Sequence, residues 1–200
     1  MLTAIIRFGL LGCCAAHFAG CTRPEPPALP EVPRASLVLK DGRLHRPAQS
    51  APFTGTVVEH YAPGRLQSRS VISNGVLHGL SEGWHTNGVR QVAEPFVHGV
   101  SDGVRLKWYP TGARHSEAVI VGGKLNGPFR RWHENGQLAE QIELRNDLPH
   151  GESLAYFPSG CLKARARMAE GKVLATETFQ DGEVKTAPTV AAAEAAKPKS

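Results

Sequence analysis

Nine histidines, four cysteines and eighteen carboxylates are the side chains of this chain best suited to chemistry. Histidine and cysteine together suggest zinc, and cysteine alone a disulfide framework. Carboxylate pairs such as Glu140 with Glu143 suggest acid and base partners. Phosphate binding would call for Gly-x-x-x-x-Gly-Lys, but the glycines stand singly rather than in such a loop. Hydrolysis would call for a nucleophile elbow or a Ser, His and Asp set, and neither is expected here. Whether any of these groups can meet depends on the elements that carry them, so the order of those elements comes first.

Aromatic and glycine pairs recur at one spacing: Tyr61 and Gly64, His85 and Gly88, Tyr109 and Gly112, His133 and Gly136, Phe157 and Gly160, each 24 residues after the last. Self-similarity at a fixed period marks a repeat architecture. Five full units follow, 56–79, 80–103, 104–127, 128–151 and 152–175. The residue before each aromatic is His60, Trp84, Trp108, Trp132 or Tyr156, and Gly79, Gly103, Gly127 and Gly151 close four units. A further turn column reads Gly75, Gly99, Gly123, Asp147 and Gly171, and an apolar column reads Ile72, Phe96, Ile120, Leu144 and Met168. Each unit reads as a hairpin: a short strand ending in two aromatics, a tight turn on Gly64, Gly88, Gly112, Gly136 or Gly160, then a longer strand. The closing Leu-His-Gly segment is expected to turn the chain back.

The predicted fold is all-β, an elongated single-layer meander of tandem hairpins with partial units at each end. At about 4.8 Å between strands, one unit advances roughly 10 Å and five advance about 50 Å. The aromatic and Ile72-type columns are expected to form the thin core, with terminal units looser because each lacks a neighbour. This geometry removes the metal reading. His85 and His133 share a column two units apart, roughly 19 Å, and His78 and His150 lie three units apart, roughly 29 Å, too far to share an ion. Histidine reads instead as an aromatic substitute within the repeat. The carboxylates lie on strands of alternating direction and read as solvated. No catalytic residue, metal or cofactor is expected.

The flanks differ in character. Residues 1–20 run from Arg7 through an apolar stretch, Phe8 to Ala16, to small residues, the order of a secretory leader. As a helix, that stretch would span only about 14 Å, short of roughly 30 Å of bilayer hydrocarbon. Phe18-Ala19-Gly20-Cys21 resembles a bacterial lipobox, which implies that Cys21 becomes the acylated first residue of the mature chain. With Thr22 after it, the resemblance implies outer-membrane sorting, facing the periplasm. Residues 21–36, with Pro24, Pro26, Pro27, Pro30 and Pro33, read as a stiff tether, and residues 184–200, rich in Ala, Pro and Lys, as a disordered tail. Cys13 and Cys14 then leave with the leader, and Cys161 is the one thiol left, so no disulfide framework is expected.

The repeat columns resemble the bacterial variant of the MORN repeat, found in the YwqK-type family named for antitoxin members of toxin–antitoxin pairs. The resemblance covers about residues 37–183, beginning with a lead-in, Leu37 to Leu44 and Pro52 to Gly55. Asp147 in place of a turn glycine, and Pro95 and Pro128 within strands, are local departures. The family implies a twisted array that holds a surface for a partner, with a toxin as the partner its name suggests. An export leader argues either for immunity against an incoming effector or against the antitoxin label.

Net charge is +5 on the whole chain and falls by one with Arg7. That surplus permits weak attraction to acidic lipids, sugars or proteins, and without a single basic stripe nucleic acid is not an expected partner. The candidate binding face consists of the ladder Trp84, Trp108 and Trp132 with the flanking cations Arg105, Lys107, Arg130 and Arg131. Such a ladder would suit a partner protein, a cell-wall glycan or an anionic lipid, and as a charge run the cations also fit a solvated face.

Overall fold

The computed structural model describes residues 29–183. The expected leader at 1–20, Cys21, most of the tether and the tail at 184–200 lie outside them. Alternating side chains and regularly spaced turn residues produce strands throughout. In chain order these are β1 (Glu31–Pro33), β2 (Val38–Lys40), β3 (Arg43–His45), β4 (Gly55–Ala62), β5 (Arg65–Ser73), β6 (Val76–Trp84), β7 (Arg90–Val97), β8 (Val100–Ser101) and β9 (Gly103–Trp108). They continue as β10 (Arg114–Val121), β11 (Lys124–Trp132), β12 (Leu138–Arg145), β13 (Leu148–Tyr156), β14 (Leu162–Ala169) and β15 (Lys172–Thr178). From β4 onward each strand pairs antiparallel with the next in one open 13-stranded sheet, and β8 continues the β9 line beside β7. The expected hairpin meander is therefore the fold.

Two kinds of turn alternate along its edges. On one edge Asn74-Gly75, His98-Gly99, Gly122-Gly123, Asn146-Asp147 and Glu170-Gly171 all have positive φ at both positions. These are the two-residue turns whose twist matches that of the flanking strands. Asp147 holds φ 69° in a glycine's place, and its Oδ1 accepts the Leu125 N–H at 2.7 Å, a bond to the preceding unit that holds the turn in place. On the other edge the backbone closes at Gly88, Gly112, Gly136 and Gly160, whose N–H groups donate at 2.9 Å to His85, Tyr109, His133 and Phe157.

The closing glycines do not turn the chain back. Gly79, Gly127 and Gly151 lie inside β6, β11 and β13, which run straight through the expected unit boundary, and Gly103 opens β9 where a one-residue break at Asp102 separates it from β8. They sit in bulges: Ser70 pairs with Ser81 but Ile72 with Leu77, and Ile142 pairs with Ser153 but Glu143 with His150, so two extra residues ride on the glycine-bearing strand. Glycine is needed because the bulge holds φ at 100°, 121°, 119° and 77° at Gly79, Gly103, Gly127 and Gly151. A Cβ on Gly103 would stand 2.7 Å from Pro95 Cγ. Pro95 and Pro128 thereby fit inside the sheet, at bulges where ladder bonds are already interrupted.

The array's two ends differ. Part of the expected tether belongs to the fold, because β1 adds parallel to β4 and Thr56 N–H donates to Pro30 O at 2.8 Å. The β2–β3 hairpin folds over the first unit, with Leu37, Phe53, Val57 and Ile72 buried together. At the far end Ala175 replaces the closing glycine, and β15 carries only one extra residue, Leu174, since Arg167 pairs with Ala175 and Met168 with Val173. From there the register is one residue out of step with the repeat, and a one-residue slip exchanges faces. Phe179, one residue short of the aromatic column, consequently packs on the aromatic cluster.

Candidate functional site

Tracing registers across the sheet sorts its side chains onto two faces. One row runs Val57, Ser70, Ser81 and Glu94, then Arg105, Ala118, Phe129, Ile142, Ser153, Ala166 and Thr176. The Ile72, Ile120 and Leu144 column shares this aliphatic face. The next row runs Val58, Arg69, Glu82, Ala93, Leu106, Glu117, Arg130, Gln141, Leu154, Arg165 and Glu177. Trp84, Trp108, Trp132 and Tyr156 stand two residues beyond Glu82, Leu106, Arg130 and Leu154, hence on this aromatic face. The expected single core is thus two thin cores on opposite faces: Leu37, Phe53, Val57 and Ile72 near one end, and Trp132, Leu138, Tyr156 and Leu162 near the other.

The same registers divide the candidate binding set. Trp84, Trp108, Trp132 and Arg130 share the aromatic face, whereas Arg105, Lys107 and Arg131 lie on the aliphatic one, so the residues proposed together cannot contact one flat ligand. Their charges are also engaged. Arg105 pairs with Glu94 at 3.5 Å, Arg130 with Glu117 at 3.6 Å, and Arg131 with Glu140 at 3.1 Å.

The tryptophans are interleaved with the residues that pair with them across each hairpin. Trp84 pairs with Arg90, Trp108 with Arg114, Trp132 with Leu138 and Tyr156 with Leu162. Arg90 lies over the Trp108 ring at 5.6 Å and Arg114 over Trp132 at 5.3 Å. The ladder alternates aromatic and cation in its first part and aromatic and leucine in its last, where Trp132 is only 4% exposed. Arg90 and Arg114 escaped the sequence reading; the signal was their place just after each turn, in the column Leu66, Arg90, Arg114, Leu138, Leu162.

The column Tyr61, His85, Tyr109, His133 ties each unit to the next. Tyr61 Oη donates to the Trp84 carbonyl at 2.9 Å and Tyr109 Oη to that of Trp132 at 2.8 Å. His85 Nε2 and His133 Nε2 meet the Trp108 and Tyr156 carbonyls at 2.9 Å each, so these nitrogens carry the proton, because a carbonyl only accepts. Histidine serves here as a shorter tyrosine. Asn87 and Asn135 extend the tie by donating to the Pro110 and Pro158 carbonyls at 2.7 Å.

Other titratable groups are placed singly or in pairs. Among the described residues no three of His, Cys, Asp and Glu gather as a metal site. His78 and His98, which the column comparison had not brought together, meet across the turn edge with ring centroids 5.0 Å apart, and the His98 N–H donates to His78 Nδ1 at 3.3 Å. His115 packs edge-on against Tyr109. Burial, then the charges of Lys107 and Arg131, hold its pKa below the usual value. Cys161 is buried and free.

Two Gly-x-Ser-x-Gly stretches do occur, Gly79 to Gly83 and Gly99 to Gly103, contrary to the expectation of none. Neither forms a strand-to-helix elbow. Ser81 lies within β6 with its Oγ 2.7 Å from Ser70 Oγ, and Ser101 lies in β8, donating to Glu94 Oε1 at 2.7 Å. Of their glycines, Gly79 and Gly103 belong to the bulge column and Gly99 to the turn column, and Gly83 lies within β6.

Against known families, the model described as a MORN repeat variant matches residues 125–146. That stretch carries Trp132, Gly136 and Leu144, members of three of the columns that define the array. No curated protein matches the chain. The chain therefore carries a MORN-type repeat, and the units that share its columns share its hairpin geometry.

Proposed function

We propose that this chain is a noncatalytic interaction module, held at the bacterial envelope by a lipid on Cys21 and presenting its sheet to a partner protein. The observation that carries this reading is an exposed aliphatic patch on the aromatic face, beside the two-residue turns. Leu80, Val97, Val100, Val104 and Val121 lie there at about half exposure or near it, 45%, 47%, 45%, 47% and 54%. Their register partners Pro95 and Val119 extend it. A contiguous apolar surface of this kind marks a contact site. Around it many polar groups pair with one another, through the tyrosine–histidine ties and the arginine–glutamate pairs, whereas the patch itself is apolar and exposed. MORN-type repeats as interaction modules agree with this reading.

The partner class that fits is a folded protein with its own apolar face. An incoming toxin, neutralised outside the cytoplasm, is the specific case suggested by the antitoxin name of the resembling family and by the leader. The tryptophan ladder is a weaker candidate for glycan, because Arg90 and Arg114 already occupy ring faces. The test is capture from envelope extract on the mature chain, beside a variant carrying Val100→Lys and Val121→Lys. The reading expects a stoichiometric protein retained by the native chain and lost by the variant. Binding only to peptidoglycan fragments or anionic vesicles, with no protein retained, would overturn it. Membrane attachment is tested separately: Cys21→Ser should release the protein into the soluble fraction, and a variant that stays membrane-bound would refute the anchor.

A further inference from the structure

The two ends of the sheet are finished differently, and the difference points to a second copy of the chain. At the start, β1 covers the outer side of β4 at Thr56, Val57 and Val58, and the β2–β3 hairpin is stapled to the first turn, with Leu44 N–H donating to Gly75 O at 2.9 Å and Gly75 N–H to Phe53 O at 2.8 Å. At the far end β15 pairs only with β14 among the described strands, and all seven of its residues are exposed. Val173 and Leu174 are each 61% exposed. An edge strand of this length, with unpaired backbone groups and apolar side chains, is a template for another strand.

The sequence of β15 from Lys172 to Glu177 is Lys-Val-Leu-Ala-Thr-Glu, and its charges are self-complementary under antiparallel pairing. We propose that two chains join tail to tail, β15 against β15, in the register that sets Lys172 opposite Glu177 of the second copy at both ends. Val173 then meets Thr176, and Leu174, the extra residue of β15, lies beside the two-fold axis against the small Ala175. Faces agree: Lys172 pairs with Ala169 and Glu177 with Arg165, placing both on the aromatic face. On that face Glu152, Arg165 and Glu177 already alternate in sign, with Arg165 3.2 Å from Glu152. Lys172 of the copy is the cation that continues the alternation, and opposite charges directly across a strand pair attract while like charges repel. Because each β15 edge is consumed by the β15 of the other copy, the association closes as an isologous dimer and does not run on as a filament.

Native mass spectrometry of the full chain, released from mild detergent over a concentration series, reads the assembly directly. The expected result is a species of twice the chain mass. Lys172→Glu should weaken it about tenfold or more, since both symmetry-related contacts turn repulsive. The exchange Lys172→Glu with Glu177→Lys should restore it, which a partner other than a second copy would not do. Circular dichroism of each variant confirms that the strand content is kept. A chain monomeric at every concentration, as it would be if residues 184–200 covered β15, overturns the proposal. So does a dimer indifferent to Lys172→Glu, or one not restored by the exchange.

Discussion

Replacing Trp132 by alanine tests whether the tryptophan ladder is core. Trp132 is 4% exposed, lies among Leu138, Tyr156 and Leu162, and carries the Arg114 guanidinium 5.3 Å above its ring. Emptying such a site costs about 3–5 kcal/mol, and the lost cation contact adds about 0.5–1 kcal/mol, because Arg114 is itself half-exposed. Against a total stability of about 5–15 kcal/mol, that is a large share. With a urea slope of about 2 kcal/mol/M, the unfolding midpoint should fall by roughly 2 M. Trp84, only half-buried, should cost about half as much. Trp132→Phe should be mild: the indole Nε1 is buried with no protein partner, and removing an unpaired donor recovers about 1–3 kcal/mol that offsets the lost ring area. Urea unfolding followed by circular dichroism measures all three. If Trp132→Ala lowers the midpoint no further than Trp84→Ala, the ladder is a displayed row and the core reasoning is wrong.

His133→Phe should lose about 0.5–1.5 kcal/mol by leaving the Tyr156 carbonyl without its donor, and His133→Tyr should keep most of it, as Tyr109 does for Trp132; the same unfolding assay compares them. Asp147→Gly should be close to neutral, with relief at φ 69° offset by the lost bond to Leu125, whereas Asp147→Ala loses the bond and keeps the strain, costing roughly 2–3 kcal/mol in urea unfolding. The lowered pKa of His115 means the unfolded chain takes its proton first, so stability is complete above 6.5 and declines as pH falls through 6.5 toward the folded value. Melting temperatures at about pH 5 and about pH 8 should differ less in His115→Asn than in the native chain if this histidine is responsible.

The all-β class, the hairpin unit, the turn positions and the histidines as aromatic substitutes were legible in the sequence, because a period of 24 repeated five times leaves little freedom in where turns and apolar columns fall. Two kinds of error came with it. Gly79, Gly103, Gly127 and Gly151 read as turns, since glycine marks a turn and a bulge alike, and only the pairing of Ser70 with Ser81 and Ile72 with Leu77 distinguishes them. Arg105, Arg130 and Arg131 read as one basic surface, since closeness along the chain hides which side of a pleat each occupies.

What the sequence alone determined is therefore the local geometry of the unit: strand, turn, strand, and the residue type each column tolerates. What the tertiary structure decided is everything that depends on register across strands. It separated the aromatic and aliphatic columns onto opposite faces, laid Arg90 and Arg114 over tryptophans, joined His78 to His98, and laid β1 along part of β4 while leaving β15 open. The physical reason is that side chains alternate along a strand, so an inserted bulge residue or the loss of one glycine, as at Ala175, reassigns every following residue to the other face. A repeat period carries no record of that choice; hydrogen-bonded partners in neighbouring strands make it.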